Sequence, residues 1–189
     1  MRNILSGLVA VLAGSYVIVF LLDLSQPLYP DPFSMIWILL AGSSALQSTF
    51  SFILDTSVAL TYVTSWIVIG LIIGPFSKAG WNTVRSAIWV GLIHAILALA
   101  SLLLLVPTFW DISINPNRNI ELFYQFSTSL ILALLTLPFA IPTALLINRL
   151  GQQAELPVPT KIETICECGA VFKSKPVTCS ECGRRLLEN

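Results

Sequence analysis

The segment FSMIWILLAGSSALQSTFSFILDTSVALTYVTSWIVIGLIIG, residues 33–74, contains one charged side chain, Asp55, in 42 residues. A helix needs about 20 apolar residues to cross the roughly 30 Å hydrocarbon core of a bilayer, so this stretch is about twice as long as one span. We therefore expect two spans, 33–54 and 57–74, that meet at Asp55 and Thr56 as a tight helical hairpin.

Uncharged apolar runs of similar length occur on both sides of this hairpin. The composition agrees with a membrane protein, because 56% of the 189 residues are hydrophobic and only 11% are charged. Ten basic and ten acidic side chains cancel, so the net charge indicates neither nucleic-acid binding nor an acidic substrate. The sequence predicts an all-α membrane protein with five transmembrane helices, at residues 4–22, 33–54, 57–74, 86–106 and 127–147.

The first apolar run is interpreted as a retained helix rather than a cleaved signal peptide. It is longer than the apolar region of a signal peptide, and Asp23-Leu24-Ser25 lacks the small residues of a cleavage site. Lys and Arg concentrate in cytoplasmic loops, and five spans divide them unequally between the two sides: Lys78, Arg85, Arg149 and Lys161 against Arg2 and Arg118. This excess predicts a cytoplasmic C-terminus and an N-terminus outside.

The last apolar run contains two prolines, Pro138 and Pro142, one helical turn apart. We expect them to kink the fifth span rather than to end it. A signal-anchor orientation of the first helix would instead put the N-terminus inside, and a re-entrant last run would reconcile that with a cytoplasmic C-terminus. In the preceding connection, aromatic residues predict a short interfacial helix at 120–126, with a binding cap over the bundle as the alternative.

Small residues recur four positions apart in several runs, which lets helix backbones approach closely. We expect them to pack the helices of this chain together, and an interface with a second copy or a partner subunit is the alternative. These residues are Ser6, Ala10, Gly14, Ala41, Ala45, Gly70, Gly74, Ala87, Gly91 and Ala95.

The only histidine, His94, lies within the fourth run, and an ionisable group at membrane depth is a functional candidate. A proton relay or membrane metal site needs further carboxylates or histidines, and the apolar runs contain none; Asp55 lies at a helix end. Catalytic triads, phosphate loops and zinc-protease motifs are absent from the sequence, so we expect no catalytic residue. A neutral imidazole bonded to a neighbouring helix is expected, with these candidate partners: Ser43, Ser44, Gln47, Thr61, Thr64 and Ser65.

The composition changes abruptly after the last apolar run. Residues 150–162 resemble a linker in composition and separate a bundle domain, 1–149, from a C-terminal domain, 163–189. The four cysteines lie close together in the sequence, which disfavours the disulfide framework of a secreted protein and favours a structural zinc site. A redox dithiol, an iron–sulfur site and an incidental cluster are the alternatives. Because four cysteines close the coordination sphere, no catalytic zinc is expected. The expected zinc ligands are Cys166, Cys168, Cys179 and Cys182.

Turns after each cysteine pair define the expected fold of this domain. Gly169 and Gly183 follow the pairs, where a positive φ suits glycine. Residues 170–173 and 176–178 are expected to form the two strands of a small hairpin. So few apolar side chains cannot offset the loss of chain entropy, so metal binding and folding are expected to be one event.

The motif Cys179-Ser180-Glu181-Cys182-Gly183, with Leu186 after it, resembles the second half of the short four-cysteine zinc ribbons that end many prokaryotic and archaeal membrane proteins. The first half departs from that family, because Cys166-Glu167-Cys168 has one residue between its cysteines rather than two. The resemblance covers about residues 165–186 and implies zinc binding and a protein contact, not a reaction. Glutamates dilute the basic residues of this domain, so no nucleic-acid partner is expected.

Three functions fit these observations. The leading hypothesis is a non-enzymatic membrane scaffold or accessory subunit whose cytosolic zinc ribbon contacts a protein partner. The alternatives are a channel or transporter subunit with His94 in the path, and a membrane enzyme that uses His94 and Asp55.

Overall fold

The computed structural model of the chain describes residues 2–77, 79–154, 164–172 and 176–186. The chain divides into two compact units, Met1–Leu150 and Gly151–Asn189, which we call the helical unit and the tail. The described elements are α1 (Arg2–Leu21), α2 (Trp37–Gln47), α3 (Thr49–Phe52), α4 (Ala59–Phe76), α5 (Trp81–Leu105), α6 (Arg118–Leu134), α7 (Leu137–Ala154), β1 (Thr164–Ile165) and β2 (Val171–Phe172).

Three of the helices, α1, α4 and α5, are each long and apolar enough to cross a membrane. Helices α6 and α7 pass the same test only as a pair, bent by 42° at a short break, which makes them a broken span or a re-entrant loop. The described residues therefore contain three candidate spans, or four if the bent pair counts as one. This is consistent with the expected helical membrane protein, but five spans are not found.

The expected second span, 33–54, does not form one helix long enough to cross a membrane. It forms a 3-10 helix at Phe33–Ile36, the 11 residues of α2 and the four residues of α3. At 1.5 Å per residue α2 is only about 16 Å long, roughly half of the hydrocarbon core. The helix breaks at Ser48, whose N–H donates to the carbonyl oxygens of Ala45 and Leu46.

Helices α1 and α4 are antiparallel neighbours. The Nε of Arg2 donates to the Phe76 carbonyl oxygen at 3.1 Å, so α1 begins where α4 ends. Further along, Gly14 lies against the side chain of Ile69. We call the end of the bundle that holds Arg2 and Phe76 the amino-terminal end, and the opposite one the far end. The chain thus leaves α1 and enters α4 at the far end.

Helix α5 runs parallel to α1. Gly7 lies against Trp89, near the start of both helices. Beyond the end of α1, the hydroxyl group of Tyr29 lies 2.8 Å from Ser101 Oγ, near the end of α5. Helix α7 in turn runs parallel to α4 and ends at the amino-terminal end, because Gly70 and then Gly74 meet successive turns of α7.

The segment 22–58 connects the end of α1 to the start of α4, and both of these points lie at the far end. Within them α2 packs mainly on α1 and α5 rather than on α4, so the expected hairpin of the second and third runs does not form. A Cβ on Gly42 would lie 2.6 Å from the backbone of Ser15, and the Trp66 Nε1 donates to Thr49 Oγ1 at 2.9 Å. These contacts place the segment about halfway along the bundle, and from there the chain turns back to the far end.

The last apolar run is bent, but ahead of both prolines. The break lies between Leu134 and Leu137, so Pro138 falls in the first turn of α7, where its missing N–H costs little, and Pro142 lies inside α7 without ending it. Helix α6 begins at Arg118 and continues without interruption into the bundle. The expected separate interfacial helix at 120–126 is instead the first part of this longer helix.

The small residues listed above are buried within the helical unit, except for the half-buried Ala45. Gly70 and Gly74 are where α7 approaches α4, and Gly91 meets Leu130 and Ala133 of α6. These residues thus pack the helices of one chain, as expected.

The tail differs from the expected single hairpin. Strand β1 pairs antiparallel with β2, with Ile165 opposite Val171, and Thr178 forms an isolated bridge with Arg185. Each half of the tail therefore pairs across its own cysteine turn, because the closest available backbone partner is the chain returning from that turn. Of the expected linker 150–162, the residues up to Ala154 belong to α7, and the remainder lies outside the described residues.

Candidate metal centre

The first cysteine pair lies on a tight turn that follows β1. The N–H of Gly169 donates to the Cys166 carbonyl oxygen at 2.8 Å, and the N–H of Cys166 donates to the Ala170 carbonyl oxygen at 2.9 Å. Gly169 has a φ of 92°, in the left-handed region that favours glycine. Two hydrogen bonds therefore fix the turn that carries Cys166 and Cys168.

The second pair is held by the same two backbone hydrogen bonds, in a turn that is one residue longer. The N–H of Gly183, whose φ is 71°, donates to the Cys179 carbonyl oxygen at 2.9 Å. The N–H of Cys179 donates to the Arg184 carbonyl oxygen at 2.8 Å, just as Cys166 donates to the residue after its glycine. The shorter spacing of the first pair thus shortens its turn but leaves its closing bond unchanged.

The four sulfur atoms converge on one point. The Sγ atoms of Cys166 and Cys182 are 3.5 Å apart, those of Cys168 and Cys179 are 3.6 Å apart, and all four lie within 4.8 Å of one another. A regular tetrahedron with zinc–sulfur bonds of about 2.3 Å has sulfur–sulfur separations of about 3.8 Å. The four cysteines are free rather than disulfide-bonded, so they can hold a metal ion, and the expected convergence is confirmed.

Hydrogen bonds to the sulfurs separate their acidities. The backbone N–H of Cys182 lowers the pKa of the Cys179 thiol to about 7, so this thiol ionises more readily than a free cysteine. For Cys168 the backbone N–H of Ala170 also favours the thiolate, but bonds among the cysteines outweigh it and raise the pKa to about 12. A metal cation placed among the sulfurs would displace their protons.

The centre is partly open to solvent. Cys166 and Cys179 are buried, whereas Cys168 and Cys182 are exposed. The two turns are joined on the surface by an ion pair between Glu167 of the first and Arg184 of the second, both largely exposed. Such a pair contributes little to stability, so the sulfurs remain the main link between the turns.

His94 lies in the interior of the bundle. Its Nε2 is 3.0 Å from the Ser43 carbonyl oxygen, and its ring lies edge-on to Trp66 with centroids 5.7 Å apart. Its Nδ1 has no hydrogen-bond partner among the described residues. Of the expected partners, Ser43 is therefore the one used, but through its backbone rather than its hydroxyl group.

Asp55 lies in an exposed turn before α4. Its carboxylate accepts hydrogen bonds from the N–H and hydroxyl of Ser57, at 3.0 and 2.7 Å, and the hydroxyl bond and then the amide bond lower the pKa of Asp55. In the described part of the chain Asp55 and His94 share no hydrogen bond, so the structure does not bring this expected catalytic pair together. No pattern in the sequence indicates the Tyr29–Ser101 bond, since those residues are 72 positions apart.

Comparison with known proteins adds no family. A scan against protein-family models, a search of curated proteins and a search of solved structures find no match to this chain.

Proposed function

We propose that this chain is an integral membrane protein whose cytoplasmic tail folds around one structural zinc ion and there docks a protein partner. The observation that supports it is the convergence of four reduced sulfurs at separations close to those of a tetrahedral zinc site. A closed set of four thiolates suits zinc or iron and leaves no open position for catalysis.

Charge supports the orientation. All five acidic residues of the helical unit lie at or beyond the far end, in the loops or the first turn of α6: Asp23, Asp31, Asp55, Asp111 and Glu121. Among the described residues, the amino-terminal end has Arg2, Arg85 and Arg149, and the far end has Arg118, at the start of α6. Under the positive-inside rule this excess favours the amino-terminal end as the cytoplasmic one. If the bent pair crosses once, α1 begins and α7 ends in the cytoplasm, and the N-terminus is inside rather than outside as five spans required.

Exposed apolar side chains support a protein contact at the tail. Ile165 and Val171 are cross-strand partners, so they lie on the same face of the two-stranded sheet, yet 67% and 59% of their surfaces are exposed. Val177 is exposed as well. The hydrogen-bonded cysteine turns hold the backbone of the tail without these side chains. Apolar side chains that stay exposed on such a small module are typical of a docking surface.

The test is to purify the full-length protein from native membranes and to compare three variants by metal analysis and mass spectrometry of co-purified proteins. Cys179→Ser should remove both the metal and the partner. Ile165→Ser combined with Val171→Ser should keep one zinc per chain and lose the same partner, whereas the exposed Ser180→Ala should keep both. A wild-type protein without zinc, or a partner retained by the Ile165/Val171 variant, would contradict the proposal.

A channel or transporter subunit is the second candidate, and the observation that favours it is the buried His94 with its unpartnered Nδ1. Ion or proton flux into liposomes that contain the purified protein tests this function directly. Flux abolished by His94→Leu would support it.

A further inference from the structure

A polar cavity lies beside the break at Ser48, where α2, α3, α5 and α6 meet. Its volume is about 260 Å³, near the lower limit of about 300 Å³ for small-molecule sites. It is bounded by the last turn of α2 and by the half of α5 and α6 nearest the far end. Its polar lining includes Ser44, Gln47, Ser48, Ser51, Tyr124, Gln125 and Thr128.

Four hydroxyl groups that line this cavity are available for hydrogen bonding. In helices, serine and threonine usually bond their own backbone, as Ser65 does to the Thr61 carbonyl oxygen at 2.8 Å and Thr143 to that of Phe139 at 2.8 Å. None of four hydroxyls in the cavity has a protein partner among the described residues: Ser44, Ser48, Ser51 and Thr128. Two buried hydroxyls elsewhere in the bundle, those of Ser6 and Ser86, also lack a partner, but they do not line this cavity.

These hydroxyls are accessible from the cavity, since Ser44 and Ser48 are half-buried and Ser51 is exposed, so they are free to bond a ligand. The lining supplies donors and acceptors side by side but no charged side chain. The nearest charge along α6 is Glu121, which accepts a hydrogen bond from the Gln125 side chain at 3.3 Å. A phosphate or carboxylate would find no cation here and a carboxylate one turn away, so an anionic ligand is disfavoured.

We propose that this cavity binds an uncharged polyhydroxyl group of the size of one sugar ring. Such a group carries paired donors and acceptors that match the free hydroxyls of Ser48 and Thr128 and the side-chain oxygen of Gln47. The Nε2 of Gln47 already donates to the Gln125 carbonyl oxygen at 2.8 Å. The cavity belongs to the far half of the bundle, away from Arg2 and Arg85, so the ligand enters from the side opposite the basic end. The proposal uses no part of the tail and stands or fails independently of the zinc site.

The test uses the full-length protein in phosphatidylcholine nanodiscs, with binding of radiolabelled methyl α-glucoside measured by equilibrium dialysis. A second arm uses nanodiscs that contain a glucosyl diacylglycerol, detected by co-purification after lipid exchange. Saturable binding of the soluble glucoside assigns the site to a free sugar, and retention of the glycolipid alone assigns it to a lipid headgroup; either outcome supports the proposal. Absence of both overturns it, since the unpartnered hydroxyls then have only water as partner.

Variants locate the binding. Thr128→Val combined with Ser48→Ala removes two hydroxyls at nearly constant shape and should weaken binding about tenfold. Thr128→Ser keeps the hydroxyl and should bind like the wild type, and the matched control Thr143→Val removes a hydroxyl that already bonds its own helix. Circular dichroism and thermal unfolding verify the fold of each variant. If the folded double variant binds as tightly as the wild type, the ligand lies elsewhere and the proposal is wrong.

Discussion

The helical unit and the tail are stabilised by different means. In the helical unit a continuous core of apolar side chains joins α1, α4, α5, α6 and α7, and glycines bring the backbones into contact. In the described part of the tail, the buried side chains are those of Cys166 and Cys179. The tail therefore has sulfur atoms where the helical unit has a hydrophobic core, so we expect only the tail to need a metal ion to compensate for the entropy of ordering.

The sharpest test of this difference is metal removal, which should unfold the tail and leave the helices unchanged. In zinc-finger peptides, metal binding contributes roughly 10 to 16 kcal/mol near neutral pH, far more than the few apolar contacts of the tail. A chelator, or Cys179→Ser, should abolish hydrogen-exchange protection of the amides of Cys166 and Gly183 while those of α5 stay protected. Ser180→Ala is the control, and protection of the tail that survives without metal would remove the distinction between the two units.

A second test asks whether the helical unit keeps its orientation when the tail is unfolded. In a background with all four cysteines changed to serine, single cysteines at Asn3, Ser77 and Asn117 are treated with an impermeant reagent outside intact cells. Asn117→Cys should be labelled and Ser77→Cys should not, under either four or five crossings. Asn3→Cys distinguishes them: it should stay unlabelled because Arg2 lies beside Phe76 at the basic end. Labelling at Asn3 would restore the five-span orientation.

A third test concerns close packing in the helical unit alone. Gly42→Ala would place a Cβ 2.6 Å from the backbone of Ser15. We expect this overpacking to lower the free energy of unfolding by about 1 to 3 kcal/mol. Gly7→Ala should cost less, because its Cβ would meet its nearest atoms at 3.1 Å. Thermal unfolding in detergent measures both, and zinc content should stay at one per chain. A loss of zinc in Gly42→Ala would show that the units depend on each other.

The smallest expected effect is that of His94→Leu. The change removes the bond to the Ser43 carbonyl oxygen but also an Nδ1 that has no partner among the described residues, so the net loss of stability should be about 1 kcal/mol. Zinc content and partner binding should be unchanged, as judged by the same co-purification. A variant that loses its tail partner would argue against independent units.

Part of the candidate site was predictable because it depends on neighbours in the chain. Two cysteines held by one glycine turn converge through local backbone geometry, so the pairs at Cys166 and Cys179 were visible as a metal motif. The exposed apolar pair was not visible, since Ile165 and Val171 face the same side only through their strand register. The free hydroxyls of the cavity were likewise hidden, because sequence does not tell which serine bonds its own helix.

Composition and spacing were enough to predict a helical chain with runs apolar enough to cross a membrane, and one cluster of four cysteines. Which of those runs traverse the bundle depends instead on contacts between distant helices. Residues 33–54 have the length and hydropathy of a span, and nothing local distinguishes them from 57–74. They turn back because Gly42 fits against Ser15 and Thr49 bonds Trp66, contacts between residues 27 and 17 positions apart. Hydropathy measures the transfer of a segment into lipid, whereas the path of that segment is set by the helices that it packs against.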